Sequence, residues 1–178
     1  MRRTSIFWGW GGVGLLILIA ACAINPVTGR HEFMLLDDQE EIQLGAQTDV
    51  ELIKQYQLYP DPKMTAFLDE IGQRLAKTSH RVELPFQFKI LDSAVVNAFA
   101  VPGGYVYLTR GILASLNNEA ELAGVVGHEI GHITARHSAQ QYSRAQVAQV
   151  GLGIGSIVGQ FFPVIGGLAT GLAEVGVG

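Results

Sequence analysis

Thiols are almost missing from this sequence, with one cysteine, Cys22, among 178 residues. That excludes an intramolecular disulfide and a cysteine-based zinc site, so any metal falls to histidine and carboxylate. A basic excess is missing too. Twelve Lys and Arg stand against 16 Asp and Glu, a net charge of -4, which argues against a nucleic-acid partner. Charged residues are scarce at 16% against 48% hydrophobic, which excludes a disordered chain and calls for a packed core or membrane contact. No internal repeat is visible, and the length suits one ordinary domain.

Glycine is plentiful but uneven: of 22, four lie in residues 9–14 and nine in residues 147–178. At the first of these ends, Arg2 and Arg3 precede an apolar run over 13–19, then Ala20, Ala21 and Cys22, the order of an export signal. An uncleaved anchor is the other reading, because residues 6–24 are nearly charge-free and about long enough to cross a bilayer. Ile19-Ala20-Ala21-Cys22 separates the two, since it resembles the lipobox of bacterial lipoproteins. The resemblance implies that 1–21 is a lipoprotein signal peptide and that Cys22 is the acylated first residue of the mature chain. Losing Arg2 and Arg3 leaves 10 basic and 16 acidic residues, a net charge of -6.

Residues 22–36, with Asn25-Pro26-Val27-Thr28-Gly29-Arg30, read as a turn-rich tether. Residues 37–146 read as the main domain. Asp38 with Glu41 forms a capping pair for a helix over about 38–57, with Ile42, Ala46, Val50 and Ile53 at helical spacing. Asp61 and Pro62 start a second helix whose Met64, Phe67, Leu68, Ile71 and Leu75 make an apolar stripe. Strand-like runs follow at 86–91, 95–101 and 105–109, and Pro102-Gly103-Gly104 joins the last two as a hairpin. Asn118 with Glu121 then caps a long helix predicted to reach at least Gln141.

That helix carries His128-Glu129-Ile130-Gly131-His132, the H-E-x-x-H spacing. At 100° per residue the two histidines lie about 40° apart and one turn along the helix, so both reach one ion. Glu129 stands about 100° from His128, beside the ion, placed to take a proton from the attacking water. Chance yields this word in roughly one such sequence in a hundred, but two histidines on an apolar helix also need a partner. One zinc ion per chain supplies it. On an unbroken helix His137 lies about 180° from His128 and faces away from the ion. Arg136 and His137 then read as a structural or substrate-side pair, or as solvent-facing residues. His31 and His80 read as surface.

The stretch from Asn97-Ala98-Phe99-Ala100 through Pro102-Gly103-Gly104 to Arg110-Gly111, then Asn118-Glu119-Ala120-Glu121 and the H-E-x-x-H word, resembles a family of gluzincin zinc peptidases. That family includes HtpX, the CAAX prenyl endopeptidases, mitochondrial Oma and BepA. With the lipobox and tether, the likeness narrows to the lipoprotein branch of BepA and LoiP, over about residues 22–145. It implies an α+β, zincin-like fold with a small sheet, His128 and His132 as zinc ligands and Glu129 as general base. It also implies that a sheet edge, here Asn97, Ala98, Phe99 and Ala100, takes substrate as an added strand. The expected substrates are misfolded or stalled envelope polypeptides, cleaved at the periplasmic side of the envelope by a lipid-anchored protein. Ala23 after the cysteine implies the outer membrane.

One feature departs from the family. Its third ligand is a Glu in an E-x-x-x-D word on a later helix, whereas the sole acid after His132 here is Glu174, with Gly178 where the Asp would stand. Glu174 therefore reads as a lone surface carboxylate, and the chain as the N-terminal part of such a peptidase. Residues 147–173 carry no charge and many glycines, and read as an apolar flap or loop near the site, with membrane contact as the alternative. Two functions follow: a zinc endopeptidase, or a non-catalytic envelope lipoprotein that keeps the fold as a binding or assembly factor.

Overall fold

The computed structural model describes residues 22–152, so the segment read as an export signal, Glu174 and most of the glycine-rich segment lie outside the described residues. The architecture is α+β, a three-stranded sheet with helices on both faces. Strands β3 (Gln87–Leu91), β4 (Ala98–Val101) and β5 (Tyr105–Thr109) take the order β3-β5-β4. β5 lies at the centre, parallel to β3 and antiparallel to β4. The hairpin predicted from Pro102-Gly103-Gly104 is the β4–β5 pair, with Gly103 and Gly104 at φ of 80° and 100°. β4 is shorter than the run predicted at 95–101. The Thr109 hydroxyl donates to the Val95 carbonyl and accepts from the Asn97 amide, which folds 93–97 back as a loop.

Alternation along the strands sorts the core in two. Phe88, Ile90, Val106 and Leu108 pack with Leu68 and Ile71 of α2 (Pro62–Ala76) and with Leu122, Val126, Ile130 and Ile133 of α4 (Glu119–Thr134). Leu91, Val101, Tyr105 and Tyr107 pack instead with Leu52 of α1 (Asp38–Tyr56). On that second face Lys89 and the Tyr107 hydroxyl both meet Asp49, at 2.6 and 2.7 Å. Burial and the Asp49 carboxylate together push the Tyr107 phenol far above its ordinary value. α3 (Arg110–Ser115) links the sheet to α4 and is capped by Thr109.

The second helix begins as its sequence predicts, with the Asp61 carboxylate accepting from the amides of Lys63 and Met64 and Pro62 in the first turn. Its stripe is buried only at Leu68 and Ile71, while Met64 and Phe67 remain exposed. The first helix differs more. Its capping box is Asp37 with Glu40, one residue before the predicted pair, because Asp38 and Glu41 are drawn to arginines. Its buried face is Glu41, Gly45, Thr48 and Leu52, and Val50 of the predicted stripe is 51% exposed.

Gly45 explains that rotation. A Cβ there would stand 2.2 Å from the Pro102 carbonyl oxygen and 2.9 Å from the Tyr105 ring, so only glycine lets α1 lie on the turn. Gly45→Ala is expected to cost about 3 kcal/mol, the upper end for overpacking, and to lower the urea midpoint at unchanged slope. An unchanged midpoint would show that α1 does not rest on this turn.

The segment read as a tether is ordered. β1 (Cys22–Ile24) and β2 (His31–Phe33) form an antiparallel hairpin. Asn25 is buried at its turn, accepting from the amides of Val27 and Thr28 and donating to the Ala135 carbonyl at 3.0 Å. The turn residues were legible, but that carbonyl is 110 residues away, where local pattern has no reach.

Candidate metal centre

The helix that carries the candidate site begins at Asn118, whose carboxamide oxygen accepts from the Glu121 amide at 3.0 Å. Glu119 and Glu121 fill the first turn, where the helix dipole favours negative charge. Leu122, Val126, Ile130 and Ile133 bury one side of α4 against α2 and the sheet and so fix its rotation. The polar residues of the H-E-x-x-H word then take distinct positions, with His128 exposed, His132 half-buried and Glu129 buried at 7% exposure.

His128 Nε2 and His132 Nε2 approach to 3.1 Å, with the rings nearly perpendicular. Two nitrogens bound to one tetrahedral zinc at 2.0–2.1 Å sit about 3.4 Å apart, so the pair fits one ion with little adjustment. The donor set fits as well, since neutral imidazole suits zinc. Burial, then His128 and His137, hold the His132 imidazole below the ordinary histidine value and favour its neutral, ligating form. Burial also pushes the Glu129 carboxyl above the usual carboxylate range, and His128 offsets this only in part. A carboxylate so placed is a better proton acceptor than one in water.

The predicted unbroken helix to Gln141 is corrected by the structure. α4 ends at Thr134, Arg136 takes a left-handed φ of 57°, and a new helix, α5, runs over His137–Leu152. The break brings His137 back, so that its Nδ1 lies 2.8 Å from His132 Nδ1. His137 therefore does not face away. It meets His132 on the ring nitrogen opposite the one turned to His128. Among the described residues no group of three or more His, Cys, Asp or Glu side chains converges as a metal site. His31 and His80 are exposed, and Arg136 is buried.

Sequence reasoning missed Glu41 and Arg81. Glu41 is 1% exposed, paired to Arg81 at 2.9 Å and to Arg136 at 3.0 Å, and Arg81 also donates to the Ile133 carbonyl at the end of α4. The available signal was an acidic residue inside a helical stripe whose Ala and Gly neighbours left room for a partner.

The candidate substrate strand also has a place. β4 is an edge of the sheet and packs against α4. Ala98 and Ala100 lie on the α4 side, whereas Phe99 stacks on Tyr107 on the α1 side.

A helix that places two imidazoles over one point, with a buried carboxylate beside them and an edge strand alongside, defines a candidate metallopeptidase. Comparison with known proteins agrees. Residues 62–168 match the model of peptidase family M48. The Escherichia coli K12 beta-barrel assembly-enhancing protease is 35% identical over 137 residues, 75% of this chain and 28% of that protein. Its Yersinia pestis counterpart is 32% identical over 145 residues, 79% of this chain and 30% of that protein. The Arabidopsis thaliana mitochondrial metalloendopeptidase OMA1 is 32% identical over 93 residues, 52% of this chain and 19% of that protein. The chain belongs to peptidase family M48. It spans less than a third of the length of these relatives.

Proposed function

We propose that the protein is a zinc-dependent endopeptidase of the bacterial envelope that cleaves misfolded or stalled envelope polypeptides. The observation that carries this is the 3.1 Å convergence of His128 and His132 Nε2 beside buried Glu129. His128 and His132 would hold zinc. When bound, zinc lowers the pKa of a water to about 7 and polarises a carbonyl. Glu129 accepts the proton of the attacking water and returns it to the departing amine. The edge strand β4, Ala98–Val101, pairs with an extended substrate and presents its backbone beside α4, which suits an unfolded chain and demands little sequence. Support for the envelope comes from relatives named for β-barrel assembly. The lipobox-like word adds an acylated Cys22, facing the periplasm and held at the outer membrane.

The full-length gene product, purified from membranes, is expected to degrade denatured casein and an unfolded outer-membrane barrel while sparing the folded barrel. Its mature N-terminus should be an acylated Cys22 by mass spectrometry. Capture of the unfolded barrel without any cleavage would favour the non-catalytic assembly factor, and an intact Met1 would refute processing.

A further inference from the structure

We infer that His137 is a positioning residue for the zinc ligand His132, held in place by the buried charges of Glu41, Arg81 and Arg136. The inference rests on the proposed zinc site. For His132 to bind an ion through Nε2, its proton must sit on Nδ1. His137 Nδ1 lies 2.8 Å from that nitrogen and would accept its proton with its own hydrogen on Nε2. A ligating histidine whose second nitrogen has a fixed partner keeps both its tautomer and its ring orientation.

His137 is exposed and stands at the first position of α5, so its placement depends on the break that precedes it. A non-glycine residue at positive φ is unfavourable by itself, and neither Gly nor Pro stands at 135 or 136 to demand the break. What holds it is Arg136. Its guanidinium meets Glu41 at 3.0 Å and the Leu36 carbonyl at 2.9 Å, while its buried Nε has no hydrogen-bond partner. The terminal nitrogens alone therefore fix the side chain. Glu41 is held in turn by Arg81 through both oxygens, at 2.9 and 3.0 Å, and Arg81 reaches the Ile133 carbonyl at 3.2 Å. One buried carboxylate thus joins α1 to the end of α4 and to the turn that aims His137.

The test compares His137→Leu, which removes the acceptor, with His137→Asn, whose side-chain oxygen takes the place of Nδ1. Zinc affinity is read by competition with a chromophoric chelator on the full-length protein, and apo-protein melting is read alongside. His137→Leu is expected to bind zinc 10- to 100-fold more weakly. His137→Asn should recover to within about threefold, with apo melting alike in both. Arg136→Gly, which permits the left-handed turn but deletes the guanidinium, should also weaken zinc. Unchanged affinity in His137→Leu, or equal weakness in Leu and Asn, would overturn the inference. Should the variants fail to fold, ¹⁵N–¹H spectra of the zinc-loaded parent decide the matter. A slowly exchanging Nδ1–H on His132 supports it, and binding through Nδ1 overturns it. A parent that retains no zinc overturns this inference and the zinc reading together, whereas a parent that retains zinc with an indifferent His137→Leu overturns this inference alone.

Discussion

Glu129→Gln is expected to lower the hydrolysis of unfolded protein by about 100- to 10,000-fold while zinc remains bound. The amide keeps the shape of the carboxylate and removes its capacity to accept a proton. Glu129 stands inside the wall of the domain at 7% exposure, and burial raises its carboxyl above the usual range. Little solvent is available there to replace it as a base. Because His128 and His132 converge without help from Glu129, the substitution should leave metal content at one equivalent and the melting temperature nearly unchanged. The measurement is kcat on a quenched-fluorescence denatured substrate, with zinc determined on the same sample. Undiminished turnover would mean that another group serves as base.

Stripping the metal is expected to abolish cleavage without unfolding the domain. The two cores are built on Leu68, Ile71, Val106, Ile130 and Ile133 and on Leu52, Val101 and Tyr107, and none of these depends on an ion. The cap at Asn118 and the charges around Glu41 likewise hold α4 from both ends with protein groups alone. Dialysis against a chelator should therefore bring activity to background while circular dichroism stays constant, and added zinc should restore the rate. Loss of helical signal on chelation would show that the ion is structural. Full activity after verified removal would show that the reaction does not need it.

The parts legible in the sequence are those that local chemistry dictates. Asp61 with Pro62, Asn118 with Glu121, and the β4–β5 turn at Pro102-Gly103-Gly104 each act within a few residues, and each stands where its pattern places it. The H-E-x-x-H spacing is local in the same sense, since one helical turn is enough to make the imidazoles converge. The parts not legible depend on partners far along the chain. The break at Arg136 carries no glycine or proline, and the buried partner of Arg136 is Glu41, almost a hundred residues earlier. α1 hides Glu41 and Gly45 where an apolar stripe was expected, because the close approach to Pro102 favours a missing side chain over a large one. Asn25 ends the supposed tether by donating to Ala135. Long-range contacts of this kind leave no periodic trace, and they decide how the candidate centre is framed.

The most direct measurement is zinc content per chain after exhaustive dialysis of the full-length protein, compared across the parent, Glu129→Gln and the double variant His128→Ala/His132→Ala. The zinc reading predicts one zinc retained by the parent and by Glu129→Gln and none by the double variant. X-ray absorption of the loaded parent should show imidazole nitrogens at about 2.0–2.1 Å. A zinc ion retained by the double variant, or a parent that holds none, would contradict the assignment of His128 and His132 as the metal centre.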